Sequence, residues 1–159
     1  MKLHNRPTAD LVHQAIHAMT EELALFSIKE FLIRPDGSIK MYYQVIEGTR
    51  YLKVKELAEL GLMNNKFAVA GDLSWLATHT TSDEVALKAL WAMVHHADVS
   101  AHQWEKVAKN GHSDVVRLRA QEQLVQHKEA TRYDLEWLEE QGMTEDIKSN
   151  ARLKMHILI

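Results

Sequence analysis

Two stretches, residues 81–111 and 113–142, constrain the fold of this chain most. In "TTSDEVALKALWAMVHHADVSAHQWEKVAKNG" apolar residues return every three or four positions with no proline between them. That spacing predicts a long helix entered through Thr81 or Ser82, with Asp83 and Glu84 in the favoured acidic first turn and Asn110-Gly111 as its stop. "SDVVRLRAQEQLVQHKEATRYDLEWLEEQG" continues the pattern from Ser113 to Gly142, on the order of 40 Å of helix at about 1.5 Å per residue. Joined by a short glycine turn, the two are expected to fold back as a long antiparallel helical hairpin.

Upstream, "PTADLVHQAIHAMTEELALF" reads as a first helix capped by Thr8, because Leu11 or Val12, Ala15 or Ile16, Met19, Leu23 and Phe26 share one face. Pro35-Asp36-Gly37-Ser38 is a turn signal between two β-rich runs and predicts a hairpin. In the second run Ile39, Met41, Tyr43 and Val45 alternate with Lys40, Tyr42 and Gln44, one face inward. "RYLKVK" after Gly48-Thr49 adds a third strand, and short helices are read in "KELAELG" and "NKFAVAGDLSWLATH". The tail is ambiguous: Thr144, Glu145 and Asp146 start a helix well, while Leu153, Met155, Ile157 and Ile159 alternate like a strand. The fold class expected from this pass is α+β and helix-rich: an N-terminal helix, a small antiparallel β-meander, then a helical region. We read a single domain over 1–159, with sub-regions 1–55 and 56–159 and no internal repeat.

A chain that is 46% hydrophobic and 26% charged folds throughout. Having no cysteine, it can use neither disulfides nor thiolate metal sites nor a cysteine nucleophile. A formal charge of −3 provides no general attraction to phosphate, so nucleic-acid binding needs a local basic patch. No segment has the apolar length of a signal peptide or membrane span, and a cytoplasmic protein with no membrane partner is expected.

Ten histidines are about two to three times what average usage supplies to such a chain. On a continuous helix His95, Asp98 and His102 share one side, while His96 points away. If the hairpin turns at Gly111, His127 on the next helix lies level with His95. Together His95, Asp98, His102 and His127 form a candidate site for a divalent transition metal such as zinc, iron, nickel or manganese. The competing reading leaves the first three solvated and His127 hydrogen-bonded in the core. His13 and His17, four residues apart on the first helix, pose the same choice.

Two further classes remain. "VKELAELGLMNNKFAVAGDLSWLA" resembles a helix-turn-helix, which implies DNA contacts from Arg50, Lys53, Lys55, Asn64, Asn65 and Lys66. Against it, Ala58 and Gly61 sit one residue closer than that motif's usual spacing. The last long helix also has a second apolar edge, Val115, Ala130, Tyr133 and Trp137, suited to a protein interface. Serine elbows, phosphate-binding glycine loops and dinucleotide fingerprints are absent, which argues against an enzyme. The function expected is therefore non-enzymatic: a regulatory or inhibitory protein that binds a protein partner and self-associates as a homodimer through its long helices.

Overall fold

The computed structural model describes residues 3–157. Among the described residues there are ten α-helices, one short 3-10 turn at Leu3–Asn5 and no strand. The helices are α1 (Thr8–His17), α2 (Glu21–Leu32), α3 (Ile39–Gly48), α4 (Leu52–Met63) and α5 (Ala70–His79). They continue as α6 (Asp83–Val94), α7 (Ala101–Asn110), α8 (Asp114–Gln126), α9 (Arg132–Gln141) and α10 (Glu145–Ile157). The expected α+β class with its β-meander is therefore incorrect.

The reason lies in how the cap at Ser38 competes with the turn before it. Its hydroxyl accepts the Met41 N–H at 3.3 Å, which starts α3 where a second strand was expected. Tyr42, Val45 and Ile46 then point into the core at helical spacing, so Tyr42, read as a solvated strand residue, is one of the buried side chains. Pro35-Asp36-Gly37 joins two helices, and Asp36 accepts the Thr8 hydroxyl at 2.8 Å. "RYLKVK" is the start of α4, not a third strand.

Every long helix expected from the sequence is two. The first breaks at Ala18–Thr20, where Thr20 caps α2. The stretch 81–111 breaks at His95–Ser100, and 113–142 breaks at His127–Thr131, so no long helical hairpin forms. Reciprocal caps enforce both breaks. Ser100 accepts from Gln103 N–H while the Gln103 side chain accepts from Ser100 N–H; Thr131 and Asp134 do the same. The apolar rhythm survives because the loop residues Val99 and Ala130 are buried.

The caps also reveal a repeat. Pro7, Ser38, Val69, Ser100 and Thr131 precede α1, α3, α5, α7 and α9; Thr20, Tyr51, Ser82, Ser113 and Thr144 precede α2, α4, α6, α8 and α10. Both series advance by a constant 31 residues (38 to 69 to 100 to 131), so the chain is a tandem array of helix hairpins, contrary to the repeat-free reading. Core columns keep this step. Ser27, Ala58, Ala89, Ala120 and Ala151 are all fully buried small residues, and Leu11, Tyr42, Leu73, Trp104 and Leu135 are buried large ones.

The chain divides into two compact units, Met1–Ala68 and Val69–Ile159, of two and three hairpins. This boundary falls between hairpins, whereas the sub-region limit at 55/56 followed a meander that does not exist. In the first unit α1 packs on α3 and α2 on α4; in the second α5 packs on α7, α6 on α8 and α8 on α10. Like helices stack on like, which is how repeats that cannot bury an apolar face alone share one core.

Candidate binding surface

The histidine-rich segment is a loop built to the repeat's pattern. His95 closes α6, with its ring 4.2 Å from that of Trp91. His96 Nδ1 accepts the Asp98 N–H at 3.2 Å, and His127 Nδ1 accepts the Glu129 N–H at 3.1 Å. At the equivalent position two repeats before His127, Asn65 Oδ1 accepts the Phe67 N–H at 2.9 Å. Histidine thus replaces asparagine in the same side-chain-to-backbone turn. His127 is engaged on both nitrogens, because its Nε2–H donates to the Val99 carbonyl at 3.1 Å. Since a carbonyl only accepts and Nδ1 takes the Glu129 N–H, Nε2 is the nitrogen that carries the hydrogen in this pair of contacts. Asp98 and His102 are exposed, on the loop and on the first turn of α7. Among the described residues no three His, Asp or Glu side chains gather where a metal ion could be held, so His95, Asp98, His102 and His127 are not brought together. His13 and His17 are exposed beside each other, ring centroids 4.6 Å apart, on a groove between α1 and α3.

The helix-turn-helix residues are scattered over other tasks. Arg50 donates to the Ala18 and Met19 carbonyls at 3.2 and 3.3 Å, and Tyr51 Oη donates to Ala18 at 2.8 Å, so both close the end of α1. Lys53 is exposed on the first turn of α4, and Lys55 is half-buried behind it. Asn64 ends α4, Asn65 forms the turn just described, and Lys66 lies over the Phe67 ring at 5.1 Å. All three precede α5, which itself carries no lysine or arginine. The four residues of the expected interface edge do not share one helix: Val115 is on α8, Ala130 is buried in the loop that follows it, and Tyr133 and Trp137 are on α9. Tyr133 is 83% exposed, and Trp137 is half-buried under the Lys109 ammonium at 5.1 Å.

A charged pair lies between α7 and α9. Glu105 is held above the ordinary carboxylate range by a shared hydrogen bond with Asp134 and by burial, which the nearby Lys109 does not offset. Burial pushes Asp134 upward too, but hydrogen bonds from Glu105 and Thr131 outweigh it and leave that carboxyl below its usual value. As pH falls, Glu105 therefore takes up a proton before Asp134 does. Asp134 is already committed to its cap at Thr131, so the pair is part of the scaffold.

The surface the sequence reading missed is the layer α6–α8–α10. After Glu84, Lys88 is the one charged residue of α6, and Leu87, Trp91 and Val94 form a ridge at spacings of four and three residues. That ridge faces outward: Trp91 is 68% exposed and Val94 49%. It walls a groove of about 240 Å³ floored by Leu90 and Trp104, with Arg119, Glu122 and Gln123 of α8 opposite. Among the described residues neither Arg119 nor Glu122 has an ion-pair partner. On α10, Leu153 and Ile157 are exposed at 62% and 81%. The signal was present in the sequence as "VALKALWAMV", too apolar for a helix with one solvated side.

Among the described residues no helix is long and apolar enough to cross a membrane. No protein-family model, curated protein or solved structure matches this chain.

Proposed function

We propose that the chain is a non-enzymatic binding module, regulatory or inhibitory in effect, that engages a protein partner through the α6–α8–α10 layer. The observation that carries this reading is the exposure of Trp91 and Val94, with half-buried Leu87 beside them, along a groove whose Arg119 guanidinium has no ion-pair partner among the described residues. Apolar side chains contiguous on a soluble surface are costly unless covered, and Trp and Arg are the types that dominate interface energetics. Stacked repeats suit this task because equivalent helix faces line up into one extended surface.

The occupant of such a groove presents side chains or a helix face. The backbone groups of α6 and α8 are spent within the helices, so an extended strand would bring unsatisfied N–H and C=O groups into an apolar channel. The test is a display selection of helical peptides against the protein, followed by binding measured by fluorescence. Trp91→Ala is expected to weaken selected peptides by roughly 30-fold, the size of a hot-spot loss, with thermal stability unchanged because Trp91 is exposed. Peptides that bind the variant as well as the parent would overturn the reading.

A further inference from the structure

We infer that the partner covering the α6–α8–α10 layer is a second copy of the same chain, related by a two-fold axis running along α8. The inference rests on the binding surface proposed above and names its occupant.

Three relationships within the second unit carry it. First, the layer is apolar at both edges and charged in the middle: Trp91 and Val94 lie on α6, Arg119 and Glu122 on α8, Leu153 and Ile157 on α10. Second, the edges match in level. Trp91 and Leu153 are two repeats apart, 62 residues at a step of 31, and so occupy the same height on their helices; Val94 and Ile157 differ from that match by one residue. As second helices of successive hairpins, α6, α8 and α10 run in the same sense, with α8 in the middle. A two-fold along α8 exchanges α6 for α10 without changing height. It sets Trp91 on Leu153 of the other copy and Val94 beside its Ile157, twice over.

Third, the middle helix is self-complementary. Arg119 and Glu122 are three residues apart on the exposed face of α8, each lacking an ion-pair partner among the described residues. Brought together across the axis, two arginines and two glutamates make a neutral cluster. The two-fold keeps each residue at its own height, so Arg119 and Glu122 of the two copies lie about 4.5 Å apart along the axis, and each guanidinium reaches diagonally to Glu122 of the other copy, so that residue i meets j and j meets i. The area is sufficient: three helices about 10 Å apart and about 18 Å long cover on the order of 600 Å² per copy, near the lower limit of stable specific interfaces. The dimer is therefore expected to be concentration-dependent.

Sedimentation equilibrium on the full chain tests this by charge reversal, across a concentration series up to roughly 1 mM. The parent is expected to dimerise. Arg119→Glu places four carboxylates at the axis and Glu122→Arg places four cations there, and each variant alone is expected to be monomeric. The double variant, and an equimolar mixture of the two single variants, restore the neutral cluster and are expected to dimerise again. Circular dichroism verifies that each variant keeps its helices. A parent that stays monomeric while still binding selected peptides through Trp91 would overturn the dimer and leave the binding surface standing. A dimer indifferent to both charge reversals would overturn the geometry. Failure of Trp91→Ala to affect either dimer or peptide would remove both.

Discussion

The Nε2–H of His127 donates to the carbonyl of Val99 across two successive inter-hairpin loops, at 3.1 Å. Its Nδ1 meanwhile accepts from Glu129 within its own loop. One ring ties a turn and fastens it to the turn one repeat earlier. Two histidines of this region, His96 and His127, substitute for asparagine in a repeated turn.

His127→Ala is expected to lower unfolding free energy by about 1–2 kcal/mol, the cost of two lost hydrogen bonds on a half-buried group. His127→Asn should lose about half as much, because Asn65 forms the same turn elsewhere in the chain. Urea titration of the three proteins decides it; equal losses would mean the turn bond to Glu129 contributes nothing to stability.

Ser100→Ala is expected to destabilise by about 1 kcal/mol, with Thr131→Ala similar, because each removes a cap at a helix start. Alanine is the better helix former, so the same changes would stabilise an unbroken helix over 81–111 or 113–142. The sign of the shift in denaturation midpoint separates the two architectures.

The fully buried small column tolerates little volume. Ala120→Leu is expected to cost about 1–3 kcal/mol by overpacking where α8 meets its neighbours. Ala120→Ser should be far milder. Ser27 holds the equivalent site in the first repeat, with its hydroxyl donating to the Leu23 carbonyl at 3.0 Å. A thermal melt of both variants reads the difference.

Glu105→Gln is expected to raise stability near neutral pH by about 1 kcal/mol, since the amide can donate to Asp134 without a second negative charge. The sign follows from linkage. Glu105 titrates higher when folded, so its contribution is present in acid and lost as pH rises through its raised value; Asp134 titrates lower, so its contribution is lost as pH falls through its depressed one. The advantage of the variant should therefore shrink as the pH drops below the ordinary glutamate range. A pH series of urea midpoints checks this, and a constant offset would mean the protonation of Glu105 does not matter.

Much of the helix punctuation was legible. Ser82 and Ser113 cap α6 and α8, and Gly111 and Gly142 follow the ends of α7 and α9, as their residue types predict. The candidate surface was half legible, as an excess of apolar residues in α6. His95, Asp98 and His102 were read on one continuous helix, whereas α6 ends at Val94 and His102 begins a new helix, α7.

By itself the sequence determined that helices dominate the stretches where apolar residues recur at three and four, and where several of those helices begin and end. Caps, first-turn acids and stops act over one helical turn, so they can be read from neighbouring residues. Only the tertiary structure decided that residues 39–48 are helix and that the long periodic stretches break. In each place a local cap starts the next helix and packing decides that it prevails over the alternative. Tyr42 packs against Phe31 with ring centroids 4.8 Å apart, and Val99 can leave the helix because the core still buries it. The 31-residue repeat stayed hidden for the same reason: stacked hairpins select side chains by the space left between them, so each column preserves size and burial while the residue types drift.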